Sequence, residues 1–85
     1  MAVRRWQVYI IRCRDGTLYT GATSDLERRI TEHNRGTGCR YTSGRCPVKL
    51  LYRKSFRSKS SALRREARIK GLNRGRKLML IGARL

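Results

Sequence analysis

The tightest constraint on this chain is a hairpin written into residues 8–21, Val8-Tyr9-Ile10-Ile11-Arg12-Cys13-Arg14-Asp15-Gly16-Thr17-Leu18-Tyr19-Thr20-Gly21. Two runs rich in β-branched and aromatic residues flank Asp15-Gly16, and glycine accepts the positive φ that a tight turn demands. Two registers compete. With Asp15-Gly16 as a two-residue turn, Tyr9 pairs with Ala22 and Tyr19 with Arg12, which puts the two phenols on opposite faces. With Arg14-Asp15 as a type I turn and Gly16 as the left-handed bulge residue, Ile11 pairs with Tyr19 and Tyr9 with Gly21. Paired residues share a face, so both phenols then lie together. We expect the bulged turn.

The rest of the chain follows in order. Residues 1–5 read as a frayed basic lead-in, and residues 6–14 and 17–22 as the hairpin strands. Ser24-Asp25-Leu26-Glu27 has the spacing of a capping box, with Ser24 as the cap and Glu27 returning the bond. It opens a helix over residues 25–34 that Asn34-Arg35-Gly36 stops. Residues 36–47 form a loop holding Arg40-Tyr41-Thr42-Ser43-Gly44-Arg45, basic with an embedded aromatic, which suits a loop gripping a nucleic-acid backbone or a plain connector. Residues 48–56 read as a third strand after Pro47. Ser58 or Ser60 caps a second helix ending near Lys70-Gly71, and Asn73 caps a short last helix with Leu78, Ile81 and Leu85 toward the core. The expected architecture is α+β, a single domain (core about residues 6–80) with a small three-stranded antiparallel sheet flanked by helices in the order β-β-α-β-α-α.

Charge narrows the partners. Twenty-two Lys and Arg against five acids give a net charge of +17. Self-repulsion on that scale favours a polyanionic partner, nucleic acid first and an anionic membrane surface second. The basic helices lack the broad Trp/Phe/Leu faces of interfacial helices, so no membrane role is expected. Cys13, Cys39 and Cys46 are odd in number and lack C-x-x-C spacing. Without a signal-peptide pattern or a spanning apolar run, the chain reads as intracellular, cytoplasmic and reduced. Zinc is disfavoured, because only His33 could join the cysteines.

Three side chains depart from their surroundings. On the second helix Ala62, Leu63, Ala67 and Ile69 mark an apolar arc with Glu66 inside it. A carboxylate there needs a metal or a cation, the plainer choice being an ion pair with a nearby Arg or with Lys70 one turn on. On the first helix Leu26, Ile30 and His33 share the inward face. Arg29 borders that stripe, and Arg28 points to solvent. Arg29 and His33 either share a cleft edge or are a snorkelling arginine and a partly buried histidine.

Val8-Tyr9-Ile10, Leu18-Tyr19-Thr20-Gly21, Asp25-Leu26-Glu27-Arg28-Arg29 with His33, and a later helix bearing Glu66 together resemble a GIY-YIG nuclease domain. The resemblance runs from about Trp6 to Leu80. It is strongest to small stand-alone bacterial members, which are similar to the catalytic module of structure-specific junction endonucleases without its zinc-binding partner domain. It implies Tyr9 as general base or water-orienting group, Tyr19 as support for the nucleophile or the scissile phosphate, and Arg29 as the cation matching charge on the phosphate. It further implies His33 as an aid to proton transfer, Gly21 as a point of close backbone approach, and Glu66 as the metal-binding carboxylate, with Mg²⁺ or Mn²⁺ as the cofactor. Gln7 stands in place of the first motif's glycine and Thr20 in place of an isoleucine. Asn73 is a candidate for a further site residue, although helix capping explains it equally well.

The implied activity is metal-dependent hydrolysis of phosphodiester bonds in DNA, directed by structure more than by sequence. Tyr9 acting as base requires its phenolate to be stabilised by neighbouring cations. Arg40, Tyr41, Arg45, Arg74 and Lys77 are expected on the backbone, and a partner protein is expected to supply specificity. The alternative is a basic nucleic-acid-binding module without catalysis, in which Tyr9, Tyr19 and Glu66 only pack.

Overall fold

The structure, a computed structural model, describes residues 5–82. Most of the expected lead-in and Leu85 therefore lie outside the described residues. The elements run β1 (Trp6–Arg12), β2 (Leu18–Thr23), α1 (Leu26–Asn34), β3 (Lys49–Phe56), α2 (Lys59–Lys70) and α3 (Arg74–Ile81). The order is β-β-α-β-α-α, an α+β fold. The sheet is antiparallel in the spatial order β2-β1-β3.

The hairpin adopts the bulged turn. Gly16 sits at φ +86°, and its N–H donates to the Cys13 carbonyl at 2.9 Å, while Cys13 N–H donates to Thr17 O at 2.8 Å. Asp15 secures the turn by accepting from the Thr17 N–H and hydroxyl at 3.1 and 2.6 Å. Tyr9 then pairs with Gly21 and Ile11 with Tyr19, and both phenols lie on one face.

That face carries Tyr9, Ile11, Cys13, Leu26 and Val48, with Tyr19, Ile30 and Leu50 packed against them. The other face carries Val8, Ile10, Ala62 and Ile69, with Trp6, Leu18, Tyr52, Leu80 and Ile81 around them. Helix α1 thus covers the tyrosine face, and α2 and α3 cover the opposite one. Leu50 and Tyr52, two apart on β3, pack on opposite faces. The pairing slips between Ile10↔Tyr52 and Ile11↔Leu50, so Leu51 is an extra residue that reverses the alternation.

Three sequence expectations need correction. Asp25, not Ser24, caps α1: its side chain accepts from the Arg28 N–H at 3.3 Å, while its own N–H donates to Thr23 Oγ1 at 3.1 Å. An ionised carboxylate is the stronger acceptor at the positive end of a helix. Asp25→Ala is therefore expected to cost about 1 kcal/mol in urea unfolding, against little for Ser24→Ala. On α2 the inward stripe is Ala62, Arg65, Glu66 and Ile69, and Leu63 and Ala67 face outward. On α3, Leu80 joins Ile81 in the core cluster, and Leu78 is half-buried.

Ser58 caps α2 by accepting from the Ser61 N–H at 3.2 Å. Asn73 caps α3 through Oδ1, which accepts from the Arg76 N–H at 2.9 Å. No helix among the described residues is long and apolar enough to cross a membrane.

Candidate active site

Glycine at position 21 organises the site. A Cβ built there would overlap the Tyr9 hydroxyl and lie 2.6 Å from its Cζ. The phenol of β1 therefore reaches across β2 only because that strand has no side chain at this point. Tyr9 is 1% exposed, and its hydroxyl lies 2.9 Å from Nε2 of His33. His33 is fully buried on the inward face of α1, in line with Leu26 and Ile30.

The histidine is held from its other side. Nδ1 lies 2.7 Å from the hydroxyl of Thr42, a fully buried residue of the loop between α1 and β3. A Cβ at Gly38 would stand 2.8 Å from the His33 Cγ, so that glycine lets the loop close against the ring. Tyr19 meets His33 edge-on with ring centroids 5.4 Å apart. Tyr41 stacks on Tyr19 at 5.5 Å.

Arg29 is about one-third exposed and bonds Glu32 Oε1 at 3.2 Å, while Arg28 holds Oε2 of the same carboxylate at 3.2 Å. Burial works against the Arg29 charge, but contact with Tyr9 and Glu32 more than offsets it and raises the guanidinium pKa. Burial pushes the Tyr9 phenol above its ordinary value. The adjacent Arg29 pulls it down, and the Cys39 and Glu66 charges add to the rise. Desolvation thus outweighs the pull of the one guanidinium in contact with the phenol. Burial also raises the Tyr19 phenol, with the Cys39 thiol contributing. His33 is pulled down, first by burial and then by the Arg29 charge, against a smaller opposing effect of Glu32. It is therefore a neutral imidazole at pH 7.

Glu66 approaches from α2, on the other side of the sheet. Its side chain is 17% exposed, and Oε2 pairs with Lys70 Nζ at 3.0 Å. This is the ion pair that sequence spacing offered as the plainer choice. Its charge adds to the rise of the Tyr9 phenol. Among the described residues no three His, Cys, Asp or Glu side chains converge as a metal cage. A lone, mostly buried carboxylate fits a hydrated hard cation such as Mg²⁺, which keeps several waters and shares its remaining positions with a phosphate.

The other expected contacts divide. Tyr41, Arg74 and Lys77 line one cleft with Thr17 and Leu18. Arg45 instead pairs with Asp15 at 3.0 Å, donates to Tyr41 O at 2.8 Å and lies over the Tyr41 ring, fastening the loop to the hairpin turn. Arg40 is exposed. Asn73 Oδ1 is engaged by its helix cap. Sequence reasoning missed Thr42, Gly38 and Glu32. The i, i+3 spacing of Arg29 and Glu32 was the available signal, whereas Thr42 meets His33 only through the closed loop.

Thr42→Val is expected to leave His33 Nδ1 buried without a partner and to cost about 1–3 kcal/mol in urea unfolding. Thr42→Ser should restore most of that loss.

The sequence matches the family described as the GIY-YIG catalytic domain over residues 5–78. Strand order, site order and this match agree: the chain belongs to the GIY-YIG family, a family of nucleases. It is similar to a UPF0213 protein of Halobacterium salinarum, 59% identical over 70 residues that cover 82% of this chain and 91% of that one. A UPF0213 protein of Staphylococcus saprophyticus is 51% identical over 74 residues, 87% of this chain and 90% of its relative. The solution NMR structure of a UPF0213 protein from Bacillus halodurans superposes with a TM-score of 0.61 at 42% identity, covering 94% of this chain and 85% of that chain. A solution NMR structure of an E. faecalis protein gives 0.66 at 37%, covering 95% and 86%.

Proposed function

We propose that the domain is an endonuclease that hydrolyses phosphodiester bonds in DNA, with low sequence specificity and a divalent ion, Mg²⁺ or Mn²⁺, held by Glu66. The observation that carries this reading is the buried Thr42–His33–Tyr9 chain ending at the β2 edge beside Arg29. Thr42 has one hydroxyl hydrogen. Donated to the Cys39 carbonyl at 3.4 Å, it leaves Nδ1–H to donate to Thr42 and Nε2 free to accept from Tyr9.

In that tautomer Tyr9 can draw a proton from an attacking water while passing its own to His33, so no standing phenolate is needed. Tyr9 is 1% exposed, so it acts on one water held at the rim and not on bulk solvent. Arg29 offers a planar, permanently charged fork to the phosphoryl oxygens as negative charge grows there. Tyr19 keeps its proton and serves as a hydrogen-bond donor. An ion bound at Glu66 would supply further positive charge to the phosphate and the leaving oxygen. The wider basic surface holds the backbone without reading sequence, and discrimination among DNA structures falls to a partner protein.

The relay requires neutral His33, whose pKa is depressed by burial and by Arg29. Cleavage should therefore persist below the ordinary histidine value of about 6.5 before falling. Stability follows the same sign. The folded state binds fewer protons than the unfolded one, so stability is complete above about pH 6.5 and is lost as pH falls through the folded value. Urea midpoints from pH 8 to 5 should show this decline, and His33→Gln should flatten it.

The test is cleavage of duplex, flap, junction and RNA substrates with Mg²⁺ or Mn²⁺ titrated in. Metal-stimulated cleavage of DNA supports the reading. Tight binding to every substrate with no metal-stimulated cleavage of any would leave a nucleic-acid-binding module.

A further inference from the structure

We propose that a groove along α3, on the side of the sheet away from Tyr9 and Tyr19, docks an acidic amphipathic helix of a partner protein. The groove, about 480 Å³, is lined by Leu72, Arg76, Met79 and Leu80. This docking is independent of the nuclease reading.

Fixed backbone and core packing shape the groove. Leu72 stands in the turn between α2 and α3, where its N–H donates to Ile69 O at 3.0 Å. Arg76, Met79 and Leu80 then fall at i, i+3 and i+4, one face of α3. Leu80 packs against the cluster of Val8, Ile10, Ala62 and Ile69, so the floor of the groove is continuous with the core. Met79 is 77% exposed, more than any other large hydrophobic residue among those described. A scattered exposed apolar side chain is ordinary. One at the rim of an apolar groove within the usual binding-pocket range of about 300–1,000 Å³ marks a site of contact. Methionine is flexible and polarisable, which suits it to fitting a partner's apolar side chains.

Charge selects the occupant. From Arg68 to Arg76 the chain carries Arg68, Lys70, Arg74 and Arg76 and no acid. All four are exposed. Lys70 is held by Glu66 and Arg74 by Gly16 O, whereas Arg68 and Arg76 pair with no acid among the described residues. A second copy of this chain would bring another +17 and be repelled. Nucleic acid would find cations here but no aromatic platform for its bases. A membrane surface takes a broad Trp/Phe/Leu face, not a concave slot with a guanidinium in its wall. An amphipathic helix meets every condition. Its apolar residues at i, i+3 or i+4, and i+7 enter the groove, and its flanking Asp or Glu side chains meet Arg76 and the cations near it in sequence. Because α3 covers the opposite face from the tyrosines, a partner held there leaves the Tyr9 face open.

The test titrates the full chain, labelled at its methionine methyls, with a synthetic peptide of about four helical turns. The peptide carries Leu at i, i+3, i+4 and i+7 with Glu on its flanks, and a scrambled peptide of the same composition is the control. The Met79 methyl should shift, and the amphipathic peptide should bind about tenfold more tightly than the scramble. Met79→Glu should lose about tenfold in affinity with an unchanged unfolding midpoint, since this side chain is mostly in solvent. Arg76→Ala should weaken the Glu peptide about two- to fivefold and leave a Gln version of it unaffected. An unshifted Met79 methyl, equal affinity for the scramble, or full affinity in Met79→Glu would each overturn the docking. So would larger Met79 shifts with phosphatidylglycerol vesicles or oligothymidylate than with the peptide, or self-association of the chain that Met79→Glu abolishes. No step depends on cleavage, so failure here leaves the nuclease reading standing.

Discussion

Arg29→Ala should lower the single-turnover cleavage rate about 10²–10³-fold, the usual cost of removing one preorganised group that meets developing charge. DNA affinity should fall far less. Arg29 is one of 22 Lys and Arg residues, and non-specific binding sums over many phosphate contacts. The variant should also free Glu32, leaving that carboxylate to Arg28 alone. Arg29→Lys keeps the charge but loses the fork, so it should recover only part of the rate. The comparison is single-turnover cleavage beside fluorescence anisotropy on the same DNA. Equal losses in rate and affinity would make Arg29 an ordinary backbone contact.

Gly21→Ala should damage stability and chemistry together. The added methyl would overlap the Tyr9 hydroxyl and stand 2.6 Å from Cζ. Tyr9 cannot retreat freely, because it is buried and bonded to His33. Overpacking of this kind costs about 1–3 kcal/mol, and about 4–8 °C in Tm per kcal/mol for a chain of this size. Displacing the phenol by even 1 Å from the β2 edge should cut cleavage about 10²-fold. Adding Tyr9→Phe to Gly21→Ala removes one clashing atom and should recover part of the stability, a coupling that a thermal-unfolding double-mutant cycle reads directly. Independent, additive effects would mean that the glycine serves only the strand.

How much of this was legible in the sequence depended on how local each cause was. The hairpin register rests on Asp15-Gly16 and the adjacent strands, so turn chemistry and alternation place Tyr9 and Tyr19 on one face. Helical spacing likewise puts His33 in line with Leu26 and Ile30 and turns Arg28 outward. The α1 cap failed by one residue, because Ser24 and Asp25 are both good caps and only the Thr23 hydroxyl decides between them. The inward stripe of α2 was misjudged because hydrophobicity alone placed Leu63 and Ala67, whereas packing of the helix on the sheet brings Arg65 and Glu66 inward. Leu51's reversal of alternation leaves no mark in residue types. The role of Thr42 depends on a loop that closes through Arg45–Asp15, a contact 30 residues apart in sequence.

In the proposed reaction a buried phenol, relayed through neutral His33, delivers cleavage at β2. Single-turnover cleavage by Tyr9→Phe tests it most directly, since the change removes one oxygen and leaves the ring packed. The rate should fall about 10²–10⁴-fold, the usual worth of a positioned proton acceptor, with DNA affinity unchanged and the fold intact. Cleavage by Tyr9→Phe at the unaltered rate, with the same metal and substrate, would contradict it.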